Sequence, residues 1–92
     1  MTTKAILSRS RNLTRRLDKA KALLDYFGRR KAYRRSILRA LEAVDAVFVT
    51  HMETDGDSEL VEEAYDRARR AVLIVDQLAG ATWREVLAPG VN

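Results

Sequence analysis

Residues 61–79 read VEEAYDRARRAVLIVDQLA, and this stretch determines the fold class. Apolar residues recur in it at alternating steps of four and three, the repeat of a helix that packs on other helices. They are Val61, Tyr65, Ala68, Val72, Val75 and Ala79. From residue 71 to residue 75 the chain is apolar on every side of such a helix. Two neighbouring helices of a short chain do not easily bury that much surface, so we expect this segment to contact another copy or a larger partner.

The same repeat occurs twice upstream, which predicts a helical bundle. In the first segment it falls on Ile6, Ser10, Leu13, Leu17, Ala20, Leu24 and Phe27. In the second it falls on Tyr33, Ile37, Ala40, Val44, Val47 and His51. Gly28 and the loop sequence TDGDS at 54–58 separate the segments, which predicts main helices over about 4–27, 30–53 and 58–79. Because Gly28 is the only interruption of the first two segments, one long helix over 4–53 is the alternative.

The last residues contain a second set of helix signals. Gly80 is expected to stop the third helix, because glycine commonly follows the last helical residue. Thr82 and Glu85 have the spacing of a capping box, which predicts a short helix over about 83–87 that ends before Pro89. The predicted fold is therefore an all-α, single-domain bundle over residues 1–92, with three main helices and a short C-terminal helix. We expect it to be oligomeric.

The composition narrows the possible functions. The 92 residues contain no cysteine and one histidine, which excludes disulfides, thiolate catalysis and multi-histidine metal centres. No apolar run approaches the length of a membrane span, and the first residues are too basic for a signal peptide. We therefore expect no membrane contact and a cytoplasmic location, or one in a particle assembled in the cytoplasm. We also predict no catalytic residues, no cofactor and no metal site.

One acidic segment resembles a calcium loop in its spacing. In HMETDGDSELVE, residues 51–62, Gly56 at position six of an EF-hand loop puts carboxylates at positions three, five, seven, nine and twelve. His51, however, stands at position one, where that loop requires Asp. We interpret the segment as an acidic turn before a helix capped by Asp57 or Ser58, and His51 as a partly buried residue of the second helix.

Charge is divided unevenly along the chain. Residues 1–50 contain thirteen Lys or Arg and four Asp or Glu. Residues 51–92 contain four Lys or Arg and nine Asp or Glu. Such asymmetry indicates an anionic partner for the basic half, or attraction between the halves. The predicted anion-binding residues are Arg29, Arg30, Lys31, Arg34, Arg35, Arg15 and Arg16. The alternative is that these cations pair with the acidic residues of 59–66 in another helix or subunit.

Together these patterns predict a non-enzymatic assembly or adaptor protein. It would associate with itself or pack on a larger protein, and its basic surface would bind DNA, RNA or an acidic protein. The predicted oligomer interface comprises Leu73, Ile74, Leu78 and Trp83. The alternative is a stand-alone nucleic-acid-binding protein with weak sequence specificity. Small helical components of phage particles and accessory subunits of nucleic-acid enzymes share this architecture, which is an analogy of fold alone.

Overall fold

The computed structural model describes residues 2–87 and places them in three helices. These are α1 (Thr3–Tyr26), α2 (Arg34–Glu53) and α3 (Ser58–Leu87), with no strand in the described part of the chain. The all-helical bundle is confirmed, and α1 and α2 form two separate helices instead of one long one. The start of α2 differs from the prediction by four residues, because residues 30–33 form turns before the helix begins at Arg34.

The turn after α1 is a Schellman motif. Gly28 has a φ of +70°, its N–H donates to the Asp25 carbonyl at 3.0 Å, and the Arg29 N–H donates to the Leu24 carbonyl at 2.8 Å. These two bonds satisfy carbonyls that the end of a helix leaves unpaired. Gly28 thus ends α1 as predicted, because glycine adopts the left-handed conformation without a steric penalty.

The second turn carries the cap of α3. The Gly56 N–H donates to the His51 carbonyl at 2.9 Å, and the Asp57 carboxylate accepts from the N–H groups of Glu59 and Leu60 at 3.1 and 3.3 Å. Asp57 is therefore the N-cap residue. The Thr3 hydroxyl donates to the Gly56 carbonyl at 3.2 Å, which ties the start of α1 to this turn.

The predicted repeats form the core. Their buried apolar members are Ile6, Leu13, Leu17, Ala20, Leu24, Ile37, Ala40, Val44, Val47, Val61, Tyr65, Ala68, Val72, Val75 and Ala79. Ser10 is also fully buried. Its hydroxyl donates to the Ile6 carbonyl at 2.8 Å, so this buried polar group has a hydrogen-bond partner. Helix α3 packs against both other helices, whereas α1 and α2 contact each other less. The bundle is elongated, with extents of 52 × 23 × 15 Å.

The predicted stop at Gly80 and the separate C-terminal helix are wrong. Helix α3 continues through Gly80 to Leu87, and the described residues of 81–87 belong to it. Thr82 is buried at the next position of the α3 repeat and donates to the Leu78 carbonyl at 2.8 Å, while the ring of Trp83 lies 6.3 Å from that of Phe27. A glycine inside a helix costs only about 1 kcal/mol, which such packing outweighs. The predicted end at Pro89 lies outside the described residues.

Replacing Gly80 with Ala tests this continuity. A Cβ at Gly80 would meet nothing closer than an Arg84 guanidinium nitrogen at 3.6 Å, an ordinary contact. We expect the free energy of unfolding, measured by urea denaturation, to rise by about 1 kcal/mol. The control is Gly28→Ala, which is expected to destabilise the protein because of the positive φ. A destabilised Gly80→Ala variant would contradict a continuous α3.

In residues 2–87, none of the helices combines the length and the apolar character that crossing a membrane requires.

Candidate functional site

An open groove lies between the end of α1 and the start of α2. It has a volume of about 550 Å³ and is here called the basic groove. It is lined by Asp25, Gly28, Arg30, Lys31, Arg34, Ile37, Leu38 and Leu41. The groove exists because the turn after α1 separates the two helices and because α1 and α2 contact each other less than either contacts α3.

The basic groove combines two kinds of surface. Arg30, Lys31 and Arg34 provide exposed cations. The wall from α2 is aliphatic: Ile37 is buried, and Leu38 is 43% exposed. The groove thus presents one exposed leucine, backed by the half-buried Leu41, next to the three cations. This groove can therefore take a ligand that has both carboxylates or phosphates and an apolar side.

The predicted anion-binding residues fall into two groups. Arg16 pairs with Asp76 at 2.7 Å and Arg29 pairs with Glu85 at 3.4 Å, so the charge of both is matched by a carboxylate of α3. No other ion pair within 4.0 Å is present among residues 2–87. The other predicted cations are exposed: Arg30, Lys31, Arg34, Arg35 and Arg15.

The unpaired cations do not all share one surface. Arg30, Lys31 and Arg34 line the groove, and Arg35 follows Arg34 on the first turn of α2. Arg15 lies about three helical turns before the end of α1 and does not line the groove. The two ion pairs that form have partners near the middle and the end of α3, not in the acidic segment 59–66.

The predicted oligomer interface does not form one patch. Leu73 and Ile74 are 40% and 52% exposed, but neighbouring residues of a helix point about 100° apart. Ile74 lies beside Ser36 and Arg39 of α2, and Leu78, one turn later, is half-buried on that side. The half-exposed Trp83 instead packs edge-on against Phe27, next to α1.

The acidic segment at 51–62 forms a turn and a helix cap. The Asp57 carboxylate is occupied by two backbone N–H groups, and no group of three Asp, Glu or His side chains in residues 2–87 is arranged to hold a metal ion. His51 is half-buried against Gly56, and its Nδ1 has no hydrogen-bond partner. The interpretation of His51 as a partly buried residue of the second helix is confirmed.

The aliphatic wall of the groove was not predicted as part of a site. Leu38 and Leu41 are three residues apart and lie beside the buried positions Ile37 and Ala40, so they widen the apolar stripe of α2 towards α1. This widening is visible in the sequence, but whether α1 covers it depends on how closely the two helices approach.

Comparisons of the chain with models of protein families, with curated proteins and with solved structures find no match.

Proposed function

We propose that this protein is a non-enzymatic helical adaptor that binds an acidic, amphipathic segment of a partner protein in the basic groove. The observation that supports this function is that one groove combines three unpaired cations with an aliphatic wall, which includes the exposed Leu38 and the half-buried Leu41. The cations alone would attract any polyanion. Burial of Leu38, however, adds binding free energy only when the ligand also has an apolar side. An amphipathic helix with carboxylates beside its apolar stripe has both properties.

The chemistry of the groove supports binding over catalysis. Its polar groups are two guanidiniums, one ammonium and the carboxylate of Asp25. General acid–base or nucleophilic chemistry needs a nucleophile or base held by an orienting partner, and this set supplies binding groups instead. Arg suits such a site because its planar guanidinium can hold a carboxylate through two parallel hydrogen bonds.

Binding of a model peptide tests this proposal. The probe is a fluorescein-labelled helical peptide of about 18 residues with Leu on one face and Glu beside it. We expect saturable binding by fluorescence anisotropy, and about tenfold weaker binding by the double variant Arg30→Ala/Arg34→Ala, because two charge contacts are lost. A peptide of the same charge with Ser in place of Leu is expected to bind more weakly, because the leucine contacts are absent.

The matched control is Arg69→Ala/Arg70→Ala, which removes the same charge from exposed positions of α3 that do not line the groove. We expect it to bind the peptide nearly as well as the unchanged chain, because the groove is intact. Equal losses in the two double variants would mean that net charge alone drives binding, and would contradict a site in the groove.

Direct binding of nucleic acid is the second candidate function. It is supported by the exposed run Arg30, Lys31, Arg34 and Arg35, to which the half-buried Tyr33 adds an aromatic ring. In that case duplex DNA of about 20 base pairs would bind, and Arg30→Ala/Arg34→Ala would lower the slope of log affinity against log salt by about 0.9 for each lost contact. Tight DNA binding without peptide binding would favour this function over the adaptor.

A further inference from the structure

We infer that the ligand of the basic groove is the acidic start of α3 in a second copy, so that copies associate head to tail. This inference rests on the proposed function, and it identifies the partner as the protein itself. It depends on the placement of two surfaces with opposite charge. Neither the cations that line the groove nor the carboxylates of the acidic face form an ion pair within residues 2–87.

The second surface is the acidic face of α3, defined as Glu59, Glu62, Glu63 and Asp66. Their spacing of i, i+3, i+4 and i+7 puts all four carboxylates on one side of the helix. The four residues are exposed and line one open depression, and within residues 2–87 none of them has an ion pair. Like charges so close together repel, and a cationic partner would relieve that repulsion.

The two surfaces complement each other in apolar character as well as charge. Leu60 is 45% exposed and lies beside the edge of the acidic face, three residues before Glu63, and Leu38 in the groove is 43% exposed. Arg30, Lys31 and Arg34 can pair with carboxylates of the acidic face while Leu60 is buried beside Leu38 and Leu41. The start of α3 thus has the amphipathic, acidic character that the groove selects.

One chain cannot bring these surfaces together. The basic groove lies at the turn between α1 and α2, and the acidic face follows the turn between α2 and α3, at the opposite end of a bundle 52 Å long. The acidic face also lies opposite the buried residues Val61 and Ala68, and so points away from α1 and α2. The contact is therefore between molecules.

Such a contact is heterologous, because it joins two different surfaces. A pair joined by one such contact would keep a free acidic face on one copy and a free groove on the other. Association would therefore continue, into a ring where the geometry closes or into an open chain where it does not. Because exposed charges contribute, association is expected to weaken as salt is raised and the Debye length falls.

Two variants of the full chain test the inference. The groove variant is Arg30→Gln/Arg34→Gln, and the face variant is Glu59→Gln/Glu63→Gln. By sedimentation velocity between about 1 and 300 µM, we expect the unchanged chain to form species larger than a dimer and each variant to stay monomeric. An equimolar mixture of the two variants is expected to form a heterodimer and nothing larger, because only one intact groove and one intact face remain.

Two results would overturn the inference. One is an unchanged chain that is monomeric throughout this range, and the other is an oligomer that survives in both variants. Circular dichroism of each variant must show native helicity, which we expect because all four positions are exposed. If the model peptide binds in the groove while the unchanged chain stays monomeric, the proposed adaptor function stands and self-association is wrong; if neither occurs, both are wrong.

Discussion

Replacing Val72 with Asp is expected to remove most of the stability of the fold. Val72 has no exposed surface and lies in the middle of the α3 repeat, where α3 packs on both other helices. An unpaired carboxylate there would lose its hydration without gaining a partner. We expect the free energy of unfolding to fall by about 4 kcal/mol or more, from a total of about 5–14 kcal/mol for a chain of this length. Urea denaturation followed by circular dichroism measures the change.

The matched control is Leu73→Asp, one residue further along. It introduces the same side chain into the same turn of α3, but Leu73 is partly exposed and the new carboxylate can stay hydrated. We expect a loss of at most about 1 kcal/mol. Equal losses at the two positions would mean that the buried side of α3 has been assigned wrongly.

Replacing Leu24 with Ala is expected to have the second largest effect. Leu24 is fully buried in the last turn of α1, and its carbonyl accepts the Arg29 N–H of the Schellman turn. Removing its side chain leaves a cavity under the turn that forms one end of the basic groove, and such a change costs about 2–5 kcal/mol. In urea denaturation we expect a lower midpoint with an unchanged slope, since the unfolded state is the same.

The control for this prediction is Leu38→Ala, which removes an equal volume from the rim of the groove. Leu38 is partly exposed, so we expect its loss to cost about 1 kcal/mol or less in stability but to weaken binding of the amphipathic peptide. A stability loss at Leu38 as large as that at Leu24 would contradict the placement of Leu38 at the surface.

The buried side of each helix could be predicted from the sequence, because apolar residues spaced at steps of three and four lie on one side of a helix, and that side packs in the core. Every apolar residue of the repeat from Ile6 to Leu24 is buried. The end of α3 could not be predicted in the same way. Gly80 and the capping spacing of Thr82 are local signals for a helix end, and tertiary packing overrides both. The burial of Thr82 and the contact of Trp83 with Phe27 depend on a helix more than fifty residues away in the chain.

The candidate site could be predicted only in part. The dense run of cations from Arg29 to Arg35 is visible in the sequence. Which of them remain unpaired depends on how far each helix extends along the bundle axis. Arg29 reaches Glu85 only because the end of α3 extends as far as the first turn. The groove itself depends on the separation of α1 from α2, which no local pattern encodes.

The unequal packing of the three helices couples the groove to local opening of the fold. The contact between α2 and α3 is the most extensive of the three, so α1 is the helix that we expect to detach first. Hydrogen exchange detects a partial opening of this kind. Detachment removes Asp25 and Gly28, and with them one wall of the groove. We therefore expect a ligand in the groove to slow the hydrogen exchange of the α1 amides. We also expect a substitution that weakens the contact between α1 and α3 to lower the affinity of the groove for its ligand.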